Sequence, residues 1–137
     1  MTILNPYLSF RDDAREAMTF YQQALGGELR IFSFGDYPGM ADPSENDLVM
    51  HAQLTTADGM VLMGSDTPSS MSHQPAQGMS VSLAGDDESA LRAVWDRLSE
   101  GATITLPFGP APWGDQFGML VDRFGTPWMF SAGQSPA

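Results

Sequence analysis

Two histidines, His51 and His73, are the side chains of this sequence best suited to acid–base chemistry. Histidine gains or loses its proton near neutral pH, so it can serve as a general acid, a general base or a hydrogen-bonding anchor for a ligand. His73 lies in a polar stretch with Ser, Pro and Gln, and we expect it to be solvated. His51 is therefore the candidate catalytic residue that the sequence offers.

His51 lies in a run that alternates as a half-buried strand does. The two faces of this run carry Met50, Ala52 and Leu54 on one side and Val49, His51 and Gln53 on the other. The apolar set should pack on a helix, so the mixed set should face a ligand. There His51 and Gln53 could orient a polar group of the ligand. A histidine held only by a local hydrogen bond is an equally good interpretation.

The same alternation extends the candidate site to two further strands. It places Asn5, Tyr7 and Ser9 on one ligand-facing row, and Val61, Met63 and Ser65 on another. A largely apolar surface with a few fixed polar groups is typical of small-molecule sites. We therefore predict that Asn5, Tyr7, Gln53 and Met63 contact the ligand together with His51.

Composition and charge exclude several kinds of function. The chain has no cysteine, which excludes thiol catalysis and thiolate metal sites and agrees with a reducing cytoplasm. Seventeen acidic and six basic residues give a net charge of −11, which repels nucleic-acid phosphates and anionic membranes. The apolar runs are far shorter than the roughly 20 residues of a membrane span. We expect a cytoplasmic protein that binds neither nucleic acid nor membrane.

The elements that would position these residues occur twice, at an offset of roughly 73 residues. In each copy a short strand precedes an acidic pair and a helical stretch that ends at glycine, and short β-type runs follow the helix. We predict an α+β fold of two βαβββ modules whose sheets curve round a central cleft. The chain should form one domain, 1–137, with modules 1–67 and 79–133 joined by the connector 68–78.

Local signals define the ends of these elements. Asp13, with Glu16 three positions later, predicts a capping box for the first helix, and Asp86 or Asp87 should cap the second helix. The segment 35–47 is rich in Gly, Pro and Asp, so we predict a long loop that could act as a lid over the ligand. Residues 133–137 should form a frayed tail.

A set of short motifs spans nearly the whole chain. The motifs are Asn5-Pro6-Tyr7-Leu8, Ala17-Met18-Thr19-Phe20-Tyr21, Gly26-Gly27, Val49-Met50-His51-Ala52, Met63-Gly64-Ser65-Asp66, Trp113-Gly114-Asp115-Gln116-Phe117-Gly118 and Asp122-Arg123-Phe124-Gly125-Thr126-Pro127-Trp128. With the repeated βαβββ order, they resemble the PhnB-like branch of the vicinal oxygen chelate superfamily, which includes glyoxalases, extradiol dioxygenases and bleomycin-resistance proteins. The last two motifs are the most specific.

The first of those two motifs adds Trp113 and Asp115 to the predicted ligand contacts. Trp113 and Phe117 are large, stiff surfaces that either wedge the two halves together or line the mouth of the pocket. Asp115 stands beside glycine, where an aspartate is more often a turn residue than a catalyst.

The resemblance also implies four places for metal ligands, because metal-using members carry His or Glu on two strands of each module. These places fall at Asn5, Met63, near Gly78 and at Met129. A thioether is a poor ligand for hard or borderline divalent ions, so we predict no metal and no other cofactor. Met129 becomes a predicted ligand contact instead. Some members of the branch carry a demethylubiquinone methyltransferase label. The Gly-rich turn of a nucleotide-type cofactor site is not visible in the sequence, so we do not predict methyl transfer.

These features favour a metal-independent small-molecule binding protein with an apolar cleft lined by Met and aromatic residues. The resemblance also implies a homodimer. Two alternatives stay open. One is a superfamily enzyme, of lyase or dioxygenase type, that uses His51 as acid or base or binds a metal through unusual ligands such as His51 and Asp66. The other is an interaction module whose cavity is filled by its own side chains.

Overall fold

The computed structural model describes residues 1–133, which form two compact units. The first unit covers Met1–Pro75 and the second begins at Ala76. Each unit is a four-stranded sheet with one helix, in the order strand, helix, three strands. The prediction of an α+β fold with two βαβββ modules is therefore confirmed. Of the predicted tail, only Gly133 lies within the described residues, and its amide donates to the carbonyl oxygen of Gly85 at 2.9 Å.

The first unit is built from four strands and one long helix. These are β1 (Tyr7–Phe10), α1 (Ala14–Leu25), β2 (Glu28–Ser33), β3 (Val49–Thr55) and β4 (Val61–Asp66). The strand order is β1-β4-β3-β2, with β1 parallel to β4 and the other neighbours antiparallel. Asn5 was expected to share one strand with Tyr7 and Ser9, but β1 begins at Tyr7, so Asn5 lies outside it.

Helix α1 covers one face of the first sheet with the apolar stripe that its spacing predicts. Its buried residues are Ala14, Ala17, Met18, Phe20, Tyr21 and Ala24. The helix contacts β2, β3 and β4, and the buried side chains of the sheet include Leu8, Phe10, Ala52, Leu54 and Leu62. Removing a Leu or Met side chain of this kind from water contributes about 1.5–3 kcal/mol to folding. Glycine at position 64 leaves room for the helix, because a Cβ there would lie 3.3 Å from the sulfur of Met18 on α1 and 3.1 Å from the Phe10 ring.

The N-terminus of α1 is capped by a distant residue rather than by its own. Asp13 occupies the N-cap position but makes no side-chain capping hydrogen bond, so the predicted capping box with Glu16 is wrong. The buried carboxylate of Asp66 accepts the amides of Ala14 at 2.9 Å and Val49 at 2.8 Å instead. Burial raises the pKa of Asp13, and the negative charges of Asp12, Asp66 and Glu16 raise it further. A backbone hydrogen bond lowers this pKa but does not cancel the rise.

The second unit repeats the arrangement of the first. It contains β5 (Val81–Gly85), α2 (Glu88–Leu98), β6 (Thr103–Pro110), β7 (Gln116–Val121) and β8 (Pro127–Ala132), in the strand order β5-β8-β7-β6. Asp87 caps α2 as predicted, because its carboxylate accepts the amide of Ala90 at 3.0 Å. The core centres on Trp95, Phe108 and Phe130, whose ring centroids lie 5.2–5.8 Å apart.

The motif from Asp122 to Trp128 has a structural role in the second unit. The buried carboxylate of Asp122 accepts the amides of Phe124 and Thr126 and the indole N–H of Trp128, at 2.8, 3.1 and 2.8 Å. One carboxylate therefore closes the β7–β8 turn and anchors the largest core side chain. The Asp122–Trp128 motif, one of the two most specific motifs in the sequence, is therefore explained by its role in folding.

Candidate functional site

The candidate site lies on the face of the first sheet opposite helix α1, which we call the open face. It carries Tyr7 and Ser9 from β1, Val61, Met63 and Ser65 from β4, His51, Gln53 and Thr55 from β3, and Glu28, Arg30 and Phe32 from β2. All eleven side chains are exposed or half-buried, whereas their neighbours in sequence on β1 and β4 are buried. The strand ladder aligns Tyr7, Met63, Gln53 and Arg30 in one row across the sheet.

The predicted residues Tyr7 and His51 form a direct pair on this face. The hydroxyl of Tyr7 lies 3.0 Å from Nδ1 of His51, within hydrogen-bond distance, and the ring centroids are 5.6 Å apart. The two residues are 44 positions apart in the chain, and the intervening strand β4 separates their strands. Because Tyr7 reaches across β4, it holds the imidazole from one side.

Phe32 approaches the same imidazole from the opposite side. Its ring lies 6.4 Å from that of His51 at an interplanar angle of 19°. Phe32 was not among the predicted ligand contacts. The signal was present, because alternation in Glu28-Leu29-Arg30-Ile31-Phe32 puts Phe32 on the same face as Arg30. With Tyr7 47% exposed and Phe32 37% exposed, a ring surface flanks each side of His51.

A polar groove adjoins this aromatic group. It is lined by Glu28, Arg30, Gln53 and Thr55 and has a volume of about 230 Å³. Arg30 Nε and Glu28 Oε1 form an ion pair at 3.3 Å, with both side chains more than two-thirds exposed. The predicted ligand contact Gln53 lies in the wall of this groove.

Val49 departs from the predicted arrangement of β3. It was expected on the open face with His51 and Gln53, but it is only 1% exposed. The β2–β3 ladder shifts register between Phe32 and Ser33, so the strict alternation ends just before His51. The Val49 amide is bonded to buried Asp66, which holds this end of the strand in the interior.

The other predicted contacts are spread over the two units. Asn5 is half-buried and precedes β1. Met129 lies in the second unit beside Met119, its cross-strand neighbour on β7. Trp113 is 63% exposed and contacts Phe117 edge-on at 5.3 Å between centroids. Asp115 packs against Gly133, where any side chain would collide with its carboxylate.

A metal centre of the superfamily type does not fit the residues present. Among residues 1–133, no three His, Asp or Glu side chains come together as potential metal ligands. The suggested pair of His51 and Asp66 is wrong for a geometric reason. Both Asp66 oxygens accept backbone amides in the interior, whereas His51 lies on the open face. Met63 and Met129 offer only thioethers.

The predicted lid segment is a loop in the structure, as expected. It contains two short 3₁₀ turns, Phe34–Asp36 and Pro43–Glu45. Glu45 ties it to the segment after β4, because its carboxylate accepts the amide and the hydroxyl of Ser69 at 2.9 and 2.8 Å. Hydrogen bonds from the Ser44 hydroxyl and amide lower the pKa of Asp42 in the same loop. A lid role stays a prediction.

Neither helix within residues 1–133 has the length and apolar character that crossing a bilayer requires.

Comparison with known proteins identifies the family. A family model described as 3-demethylubiquinone-9 3-methyltransferase matches residues 2–131. The chain belongs to this PhnB-like family, and its fold is that of solved glyoxalase/bleomycin resistance/dioxygenase proteins. Among curated proteins, YjdN from Escherichia coli (strain K12) is 30% identical over 139 residues, with 93% of each chain covered.

Solved structures support the same assignment. Protein PA1353 from Pseudomonas aeruginosa superimposes with a TM-score of 0.88 at 37% identity, covering 98% of this chain and 100% of that chain. A putative 3-demethylubiquinone-9 3-methyltransferase, PhnB protein, from Bacillus cereus has a TM-score of 0.76 at 25% identity, with coverage of 96% and 100%. A glyoxylase/bleomycin resistance protein/dioxygenase domain from Frankia sp. EAN1pec shares the fold at 14% identity, with a TM-score of 0.65 and 98% coverage of both chains.

Proposed function

We propose that this PhnB-like chain is a small-molecule binding protein that holds its ligand on the open face without a metal. The observation that carries the proposal is the Tyr7–His51 pair, a polar anchor set among exposed rings. Sites for small molecules combine apolar surface with a small number of fixed polar groups. Tyr7, Phe32 and Met63 supply the apolar surface here, while His51 and Gln53 supply the polar groups.

Metal independence follows from the side chains that the ligand would meet. The open face carries one imidazole, and its acidic residue, Glu28, is paired with Arg30. A stable divalent site needs several convergent nitrogen, oxygen or thiolate ligands. The ligand should therefore be bound by hydrogen bonds and ring contacts.

Native mass spectrometry of freshly isolated protein, combined with elemental analysis, tests this proposal. We expect a mass excess from an organic ligand and metal well below one equivalent per chain. His51→Ala and Tyr7→Phe should retain less ligand. The matched controls, His73→Ala and Tyr37→Phe, make the same chemical changes elsewhere and should retain it fully; Tyr37 is 46% exposed, almost as much as Tyr7. One equivalent of a divalent metal, with retention lost on its removal, would overturn the proposal.

A superfamily enzyme that uses His51 as acid or base is the second candidate. The contact between Tyr7 and Nδ1 of His51 favours it, because catalytic imidazoles are commonly oriented by a partner on the second ring nitrogen. If the wild-type chain converts its retained ligand, His51→Ala should abolish turnover and His73→Ala should not. An unchanged rate in His51→Ala would remove this candidate.

The methyl transfer named in the family description is not part of our proposal. In the first unit β1 leads into α1 through Arg11-Asp12-Asp13, and in the second β5 leads into α2 through Asp86-Asp87. These turns are acidic, whereas a nucleotide-type cofactor site uses a Gly-rich turn at a helix N-terminus. The residues at these two turns therefore do not fit such a cofactor.

The proposal includes a homodimer in the cytoplasm. A cysteine-free chain suits a reducing compartment. Within residues 1–133, each outer strand of a four-stranded sheet pairs on one side and leaves its other edge without a partner in its own unit. The native mass spectrum reports the number of subunits directly. A monomer mass at micromolar concentration would contradict the dimer without affecting ligand binding.

A further inference from the structure

The hydrogen bond between Tyr7 and His51 has a preferred direction. A neutral imidazole carries one N–H donor and one bare nitrogen acceptor, and a phenol can donate or accept. The bare imidazole nitrogen is the stronger acceptor, because it takes up a proton near neutral pH and a phenol oxygen does not. The phenol is also the more acidic donor. The arrangement at 3.0 Å therefore favours Tyr7 O–H donating to Nδ1 of His51.

That direction fixes the position of the imidazole proton. With Nδ1 used as an acceptor, the proton of neutral His51 resides on Nε2. We propose that Tyr7 holds His51 in the Nε2–H tautomer, so that the site binds an uncharged aryl carbonyl compound through a hydrogen bond from Nε2–H to the carbonyl oxygen. This inference rests on the proposed function and specifies its ligand class.

The carbonyl requirement follows from the donor that the pair presents. A ligand group that meets Nε2–H must accept a hydrogen bond, and a carbonyl oxygen is a good neutral acceptor. The same tautomer cannot withdraw a proton from a ligand through Nε2. His51 in this state is therefore a donor and not a general base.

The aromatic requirement follows from the side chains around the imidazole. Tyr7 lies on one side of His51 and Phe32 on the other, and both rings are exposed. Met63 lies between their strands, and thioether sulfur packs favourably against aromatic rings. Aromatic pairs gain stability beyond the area that they bury. A flat ring beside the carbonyl group would use these surfaces.

The absence of charge on the ligand follows from the electrostatics of the face. The two charged residues of the open face, Glu28 and Arg30, are paired with each other. The net charge of −11 repels an anionic ligand. A neutral ligand needs no counter-charge and is not affected by this repulsion.

Nitrogen-15 NMR of the histidine rings tests the tautomer at a pH where both rings are neutral. The chain has two histidines, so His73 serves as an internal reference. We expect His51 to show one protonated nitrogen, Nε2, and one bare, hydrogen-bonded nitrogen, Nδ1. In Tyr7→Phe the Nδ1 signal should move to the position of an unbonded nitrogen, and Tyr37→Phe should leave it unchanged. A proton on Nδ1 in the wild-type chain, or no change in Tyr7→Phe, would overturn the inference.

A matched set of fragments tests the ligand class on the same NMR sample. Acetophenone carries the ring and the carbonyl, ethylbenzene lacks the carbonyl oxygen, and benzylamine carries a positive charge. We expect acetophenone to perturb His51 and Phe32 and to bind about fivefold more tightly than ethylbenzene, the value of one ordinary hydrogen bond. In His51→Ala this preference should disappear, and in His73→Ala it should persist.

These experiments distinguish a wrong ligand class from a wrong proposed function. If ethylbenzene or benzylamine binds the open face as well as acetophenone does, the ligand class is wrong while binding at this face stands. If none of the three binds, the ligand class is again wrong. Retention of a natural ligand in the mass spectrum then decides the proposed function separately.

Discussion

At the scale of single residues, two buried carboxylates stabilise the fold through hydrogen bonds to backbone amides. Asp66 and Asp122 are both 4% exposed, and each accepts backbone amides at an element boundary. Asp13, by contrast, does not stabilise an element boundary through its side chain. It sits beside other negative charges in a partly buried place and caps nothing with its side chain.

Replacing Asp13 by Asn should therefore stabilise the fold at neutral pH. Burial, helped by neighbouring negative charges, raises the pKa of Asp13, so the folded chain binds this proton more readily than the unfolded chain does. Stability then falls as pH rises from the ordinary aspartate value through the raised value. Asp13→Asn removes that loss, and its thermal midpoint should exceed that of the wild type at pH 7. The difference should shrink below the ordinary pKa.

Asp42→Asn is the control of opposite sign. Hydrogen bonds from Ser44 lower the pKa of Asp42, so its charge stabilises the folded chain above the ordinary value. This variant should have a slightly lower midpoint at pH 7, and the deficit should vanish as pH falls through the lowered value. Equal midpoints for Asp13→Asn and the wild type at pH 7 would contradict the account of Asp13.

At the scale of elements, glycine marks the places where two strands come unusually close. In the second sheet, a Cβ on Gly118 of β7 would lie 2.7 Å from Cα of Phe108 on β6. Because the neighbour is backbone, it cannot move aside without disturbing the strand pair. Gly85 on β5 is different, since a Cβ there would meet only a Leu91 methyl at 3.7 Å.

We expect Gly118→Ala to cost about 1–3 kcal/mol of unfolding free energy, as overpacked substitutions do. Gly85→Ala should change it by no more than about 0.5 kcal/mol. Urea denaturation followed by tryptophan fluorescence measures both variants. Similar midpoints for the two variants would show that β6 and β7 can separate more easily than the close approach implies.

The elements also show which features a sequence can reveal. Spacing within a few residues predicts the apolar stripe of α1, a hairpin of residues 48–56 and 60–65, and its turn at Ala57-Asp58-Gly59. The structure confirms all three. The cap of α1 comes from Asp66, 52 positions away, and no local pattern announces it. The register shift between Phe32 and Ser33, which accompanies the burial of Val49, likewise depends on the pairing of distant strands.

The same distinction between local spacing and pairing of distant strands applies to the candidate site. Alternation placed Tyr7, His51, Gln53 and Met63 on one face of their strands. The contact between Tyr7 and His51 depends on the strand order β1-β4-β3, which a single sequence does not give. Phe32 was not predicted, because a strand was expected from about Glu28 to Phe34 but its alternation was not used to assign its faces.

At the scale of the whole molecule, the net charge of −11 should affect stability through self-repulsion. Salt screens such repulsion, with a Debye length of about 30 Å at 0.01 M and about 8 Å at 0.15 M. The thermal midpoint at pH 7 should therefore rise when sodium chloride is increased over this range. Near pH 3, where many carboxylates are protonated, the rise should be smaller. A midpoint that falls with salt at pH 7 would mean that attractive pairs outweigh repulsion.

The strand order has a further consequence for the order of events during protein synthesis. In each unit the strand made last lies inside the sheet, between the strand made first and the strand made just before it: β4 between β1 and β3, β8 between β5 and β7. A nascent unit therefore cannot complete its sheet until the ribosome has released that final strand. A product terminated before residue 127 would keep a finished first unit while β5 and β7 each expose a bare interior edge, which marks it for aggregation or degradation.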